Sequence, residues 1–320
     1  MGLLVNGTWQ DRWYETRDGR FERQESHFRN RITPGGETGF PAQAGRYHLY
    51  VSLACPWAHR TLIMRRLKGL ESMIGLSVVH WHMGEQGWSF ADGPGVIPDP
   101  MGAAFMHEVY VRAEPSYTGR VTVPVLYDRT RNTIVSNESA EILRMLGSAF
   151  DTVGADAGDY TPASHLAEID AVNTRVYDTV NNGVYKAGFA TTQPAYEDAV
   201  RTLFISLDWL EKRLSRQKFL VSDTLTESDI RLFTTLVRFD PVYHGHFKCN
   251  VRRIADYPAL WDYTRFLYQH SGIRETVNFQ HIKGHYYQSH PTINPNGIVP
   301  LGPILDWDAP TRRQGDALHG

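Results

Sequence analysis

Hydrophobic spacing along the chain changes from period two to helical spacing near residue 160. Tyr47, Leu49 and Val51 alternate with His48, Tyr50 and Ser52, which predicts a strand. Ala58, Leu62, Met64 and Leu67 then recur at helical spacing, with Arg60, Arg65 and Arg66 expected on the other face. Residues 77–82 alternate like a second strand, and residues 84–100 form a long loop rich in Gly, Pro and Asp. A loop of that length inside a compact domain is uncommon and often functional. Residues 120–127 and 133–136 read as strands around a turn at 128–132. Residues 136–139 open a helix that runs through Ala140, Ile142, Leu143 and Leu146. Pro124 cannot donate to a ladder, so it is expected at a strand start or turn, with a cis Val123–Pro124 bond. That would leave the Val123 N–H and C=O free to pair with an extended peptide. The first half therefore reads β-α-β-loop-β-β-α.

After a Gly-, Ala- and Asp-rich linker (147–162), helices follow. Leu166, Ile169, Val172 and Val176 mark one, and residues 196–214 form a long one through Val200, Leu203, Leu207 and Leu210. Thr226 and Asp229 have capping-box spacing ahead of Ile230, Leu232, Phe233 and Leu236. Residues 261–269 and 271–277 supply further helical turns. From Asn278 the chain is polar, and after Thr292 it is Gly- and Pro-rich and expected to be irregular. Residues 1–46 are polar, with Trp9, Trp13, Phe21 and Phe28 as anchors for packing on the body. The expected organisation is thus an extension (1–46), an α/β domain (47–150), an all-α domain (160–290) and an irregular tail (291–320).

Composition narrows the function classes. The 320 residues carry 33 basic against 35 acidic side chains, so neither nucleic acid nor a polybasic membrane contact has electrostatic support. No apolar run is long enough to span a bilayer or to form a signal h-region. The two cysteines, Cys55 and Cys249, make no disulfide framework and fit a reducing cytoplasm.

The candidate chemistry lies at Cys55. Proline suits the first helical turn, so Pro56 places Cys55 at or just before a helix start. A thiol there meets unpaired backbone N–H groups and the positive end of the helix dipole. Such sites bring a cysteine pKa from about 8.5 down to roughly 3.5–7.5. A buried structural cysteine is the plainer alternative, but it needs neither the proline nor the helix start. No Cys-x-x-Cys pair exists, so the second thiol of any exchange comes from outside. His80 with His82, and His281 with His285, lack acidic or cysteine partners in their motifs, and no zinc site is expected. His244 and His246 read as polar loop residues, and Cys249 as structural.

The layout resembles a thioredoxin-like domain, with a mixed four-stranded sheet, followed by an all-helical domain: the glutathione transferase fold. Six motifs resemble the glutathionyl-hydroquinone reductases, the Xi class of glutathione transferases, over nearly the whole chain. They are Ser52-Leu-Ala-Cys-Pro-Trp-Ala-His-Arg60, Arg120-Val-Thr-Val-Pro-Val-Leu126, Val135-Ser-Asn-Glu-Ser139, Asn181-Asn-Gly-Val-Tyr185, Arg238-Phe-Asp-Pro-Val-Tyr243 and Thr292-Ile-Asn-Pro-Asn-Gly297. Phe28-Arg-Asn-Arg31 departs from the pattern, with arginine where an aromatic residue is expected.

The resemblance implies Cys55 as nucleophile and glutathione as co-substrate. Trp88 and Arg120 would hold glutathione, Val123 would pair with its cysteinyl backbone, and Glu138 with Ser139 would bind its γ-glutamyl end. Tyr185, Tyr243 and Tyr286 would face an aromatic hydroquinone. A homodimer is implied as well. Side-chain chemistry agrees: Ser139 near a helix N-terminus suits a carboxylate, and Arg120 can pair with the glycyl carboxylate. Plain N-capping would also account for Glu138 and Ser139, and packing alone for Trp88 and the tyrosines. The competing functions are a general omega-like thioltransferase or dehydroascorbate reductase, and a non-catalytic interaction module on the same fold.

Overall fold

The computed structural model describes residues 2–12 and 16–313. Trp13 and the end of the expected tail lie outside them. The extension, for which no elements were expected, forms two hairpins, β1 (Leu3–Val5) with β2 (Thr8–Gln10) and β3 (Thr16–Arg17) with β4 (Arg20–Phe21). Next come β5 (Tyr47–Val51), α1 (Pro56–Leu67), β6 (Ile74–Val78), α2 (Met106–Ala113), β7 (Gly119–Arg120), β8 (Val125–Asp128), β9 (Thr133–Ser136) and α3 (Ser139–Ser148). The helical half follows as α4 (Leu166–Val176), α5 (Gly183–Gly188), α6 (Gln193–Leu214), α7 (Glu227–Arg238), α8 (Pro258–Tyr268) and α9 (Phe279–Gln288).

The principal sheet has the order β6-β5-β8-β9. β5 runs parallel to β6, with Leu49 opposite Leu76, and antiparallel to β8, with Leu49 opposite Leu126. All five residues of β5 are buried. Burial on both faces explains why its polar positions hold His48 and Tyr50, which pair internally: the His48 ring meets Ser77 Oγ at 2.7 Å and the Tyr50 hydroxyl donates to Asp99 at 2.7 Å.

Several expectations need correction. The strand read at 77–82 begins at Ile74 and stops at Val78. Val78 exchanges hydrogen bonds with Ile97, and the His80 N–H goes to Ser89, so the chain leaves the sheet for the loop. Residues 120–127 do not form one strand. Gly119–Arg120 pair with β1, in a separate sheet of order β2-β1-β7, and the ladder resumes at Val125 after Pro124. α2 was absent from the sequence layout; the Glu108 carboxylate takes the Ala104 and Phe105 N–H groups and starts it. α9 falls within the span expected to be all-α, at a stretch read as polar with no helix of its own drawn there, and is capped by Asn278 Oδ1 on the His281 N–H. Arg60, expected on a solvent face of α1, is 1% exposed and lies over the Trp57 ring.

The described residues fall into two compact units. The sheet-bearing unit comprises Met1–Trp13, Gln24–Ala157 and Thr276–Ile298; the helical unit comprises Tyr14–Arg23, Gly158–Glu275 and Val299–Gly320. This division does not follow the expected boundaries: the extension and the tail are each shared between the two units, and α9 changes sides. α9 belongs with the sheet, because His281 and His285 bond to the carbonyls of Pro94 and Trp81. β3 and β4 belong with the helices, through Arg20 to Asp198 and Thr191 N–H to Gly19 O. In the helical unit the expected capping box is present: the Thr226 side chain takes the N3 N–H, and Asp229 takes the Thr226 N–H at 2.9 Å. π-helical turns extend α4 and α7, at Tyr177–Asn181 and Phe239–Tyr243.

Candidate active site

Cys55 is the N-cap of α1, with extended backbone (φ −76°, ψ 121°) and Pro56 as the first helical residue. Its Sγ lies 3.5 Å from the Val123 carbonyl oxygen, so this C=O, expected to be free, is engaged by the thiol. The Val123–Pro124 bond is cis. The Val123 N–H has no hydrogen-bond partner among the described residues.

The turn that carries Val123 is tied to the start of α3. The Tyr110 hydroxyl, on α2, donates to Thr122 O at 3.0 Å and receives Asn137 Nδ2 at 3.1 Å. Asn137 Oδ1 in turn accepts the Phe28 N–H at 3.1 Å. Glu138 is the N-cap of α3. One carboxylate oxygen takes the Ala140 N–H at 3.1 Å and the other takes the Ser26 hydroxyl at 3.0 Å. Ser139, buried at the first helical position, receives Arg60 Nη1 at 3.4 Å. Arg120 sits opposite Leu3 in the small sheet and donates to Arg12 O.

Trp88 is 6% exposed, and its ring stacks on His285 at 4.8 Å between centroids. His285 also meets the ring of Tyr286 edge-on at 5.3 Å. In the helical unit, Tyr185 lies 6.1 Å from Tyr243 between ring centroids, amid Phe189 and Phe247 and beneath the Arg23 guanidinium. Tyr286 belongs to the sheet-bearing unit, on α9.

Residues 54–149 match the family model "Glutathione S-transferase, N-terminal domain", and residues 193–265 match "Glutathione S-transferase, C-terminal domain". The chain is 57% identical to the glutathionyl-hydroquinone reductase PcpF of Sphingobium chlorophenolicum, over 95% of this chain and 96% of that one. It is similar to the glutathione-bound structure of YqjG, a glutathione transferase homolog from Escherichia coli K-12. The TM-score is 0.90 at 52% identity, covering 98% of this chain and 99% of that one. A Xi class transferase from Natrialba magadii superimposes with a TM-score of 0.92 at 48% identity, over 98% and 96% of the two chains. The chain belongs to the Xi class of glutathione S-transferases.

In this transferase the first helix and the cysteine at its start lie within the matched N-terminal model. Sequence reading missed the residues that hold the site's loops: Tyr110, Asn137, Ser26 and His285. Their partners are distant in sequence, and no local spacing announces them. The one available signal was the i, i+4 histidine pair on α9, read only for metal. Among the described residues no group of three or more His, Cys, Asp or Glu side chains is placed to hold a metal ion. His80 Nδ1 accepts the His82 N–H at 3.0 Å. His246, expected in a polar loop, is 5% exposed, and burial pulls its pKa down to about 4. Cys249 is fully buried, and burial pushes its thiol up.

Proposed function

We propose that this transferase reduces S-glutathionyl-hydroquinones to hydroquinones at the expense of glutathione. The observation that carries the reading is Cys55 at the N-cap of α1, with Pro56 behind it and no second cysteine in its motif. The relatives named glutathionyl-hydroquinone reductase, PcpF and YqjG, support the choice of substrate. A thiolate at a helix N-terminus is stabilised by the first-turn N–H groups. It attacks the sulfur of the glutathionyl thioether. The S–C(aryl) bond breaks, its electron pair stays with the aryl carbon, and that carbon takes up a proton to give the hydroquinone. Cys55 is left as a mixed disulfide with glutathione. A second glutathione thiolate attacks the glutathione sulfur, releasing oxidised glutathione and restoring the Cys55 thiolate.

The residue roles are those that the resemblance implies, and the chemistry of each position agrees with them. The unpartnered Val123 N–H suits the cysteinyl carbonyl of glutathione. Ser139 and the start of α3 suit the γ-glutamyl carboxylate, Glu138 the α-ammonium, and Arg120 the glycyl carboxylate. Trp88 would cover the tripeptide. Tyr185, Tyr243 and Tyr286 would hydrogen-bond the hydroquinone oxygens and stabilise the leaving ring. Neither cysteine forms a disulfide, which fits a reducing cytoplasm. The resemblance carries the expectation of a homodimer, which sedimentation in solution tests.

The deciding experiment is intact-mass analysis after incubation with an S-glutathionyl-hydroquinone, alongside product analysis. A glutathione adduct on the wild type with release of hydroquinone, both absent in Cys55→Ser, is the expected result. An unmodified protein and no hydroquinone would overturn the reading. Turnover of a small glutathione disulfide alone would move the function to a general thioltransferase.

A further inference from the structure

The His281/His285 pair of α9 has work other than metal binding. Both rings point at backbone carbonyls of the long loop. His281 Nε2 lies 2.7 Å from Pro94 O, and His285 Nδ1 lies 2.8 Å from Trp81 O. A carbonyl can only accept, so each of these nitrogens carries the proton. The same face of α9 meets the loop at other points. Gly284 faces the Trp81 ring so closely that a Cβ would stand 2.7 Å from Cδ1. Trp81 Nε1 donates to Gln288 at 3.2 Å, and the Met83 N–H donates to Ser289 at 3.0 Å. The helix is therefore fitted to the stretch from Trp81 to Pro94, and Trp88 lies inside that stretch.

His285 does more than clamp the loop. The residue is 6% exposed, and the bond to Trp81 O fixes the plane of its ring. One face stacks on Trp88, 4.8 Å away with 27° between planes, and its edge meets Tyr286 at 5.3 Å and 72°. A rotation of this imidazole would displace both neighbours.

We propose that His285 is a positioning residue that sets Trp88 and Tyr286 together, so that the glutathione contact and the hydroquinone contact are held in register by one ring. The proposal rests on the roles given above to Trp88 and Tyr286. It names no new ligand; it adds the residue that couples the two.

The test uses steady-state kinetics on the full chain, with glutathione and an S-glutathionyl-hydroquinone varied separately. His285→Phe keeps the ring and loses the N–H, whereas His285→Gln keeps a donor and loses the ring. Each should raise KM for both substrates by about fivefold, the scale of one lost hydrogen bond for Phe and of one lost aromatic pair for Gln, with kcat changed less than about twofold. In a Trp88→Leu background, His285→Phe should add little to KM for glutathione, because the two side chains act as a unit. If one variant fails to fold, the other carries the same expectation. Unchanged KM values in a folded His285 variant, with KM raised in Trp88→Leu and Tyr286→Phe, would overturn the proposal alone. Unchanged KM values in Trp88→Leu and Tyr286→Phe would overturn their roles and the proposal with them. A loss of thermal stability with both KM values intact would reduce His285 to a packing residue and also overturn it.

Discussion

The hydroxyl of Tyr110 receives Asn137 Nδ2 across 3.1 Å, and the same oxygen donates to Thr122 O at 3.0 Å. One buried phenol thus ties the residue before Val123 to the residue before Glu138. Tyr110→Phe removes only that oxygen and leaves the ring packing intact. The expected outcome is a rise of about fivefold to tenfold in KM for glutathione with kcat nearly unchanged, as for one or two lost hydrogen bonds. Steady-state kinetics with glutathione varied would show it; an unchanged KM would mean that the two turns hold their shape without the tether.

Gly188, the last residue of α5, is required by close approach. A Cβ there would stand 2.2 Å from Phe247 Cγ, and Phe247 is fully buried against Tyr243. Neither ring has space to retreat. Gly188→Ala should cost about 1–3 kcal/mol by overpacking, despite alanine's better helix propensity. Urea denaturation measures this directly, and a stabilised variant would contradict the packing described.

Acid should weaken the sheet-bearing unit through His48. Burial draws its pKa from 6.5 down to about 4. Between those values the unfolded chain binds a proton that the folded chain does not. Stability is therefore fully present above pH 6.5 and is lost as pH falls towards 4, by about 3 kcal/mol once the folded state also protonates. His48→Gln, which can still reach Ser77, should show a shallower loss between pH 7 and pH 4.5 in urea titrations. Equal slopes would remove His48 from the account.

Asp229 is fully buried, and its two oxygens take four donors. They are the Thr226 N–H and hydroxyl at 2.9 Å each, the Leu220 N–H at 2.8 Å and the Tyr263 hydroxyl at 2.8 Å. Asp229→Ala would strand all four in the core of the helical unit. A loss of about 3 kcal/mol or more is expected, against under about 1 kcal/mol for an exposed N-terminal acidic residue. Chemical denaturation of the two kinds of variant separates these magnitudes.

What could be read in advance follows the range of the forces involved. Cys55 at a helix start, the α3 start at Ser139 and the Thr226/Asp229 box are local patterns, decided within four residues, and all three appear as read. α2 and α9 were not read, for different reasons. α2 does carry an apolar stripe, with Met106, Val109 and Tyr110 at helical spacing, but Phe105 at its N-cap gives none of the usual start signals. α9 buries His281 and His285 beside Ile282 and Tyr286, so its inner face reads as polar. Arg60 was misplaced for a related reason. A guanidinium reads as solvent-facing until the start of α3 brings the Ser139 hydroxyl to it, while Trp57, three residues earlier on the same helix, lies under it. The loops of the site escaped altogether, since the bonds of Tyr110 to residue 137 and of Ser26 to residue 138 span 27 and 112 positions.

α9 has a consequence for how the chain is made. The sheet-bearing unit takes its last helix from residues 279–288, after the whole of α4 to α8 has been synthesised. On the ribosome, the loop around Trp88 must wait for most of the chain before its clamp emerges. Until then Trp81, Trp88 and the carbonyls that later meet His281 and His285 lack that cover. On the proposed role of Trp88, ligand-binding competence should appear only when synthesis is nearly complete.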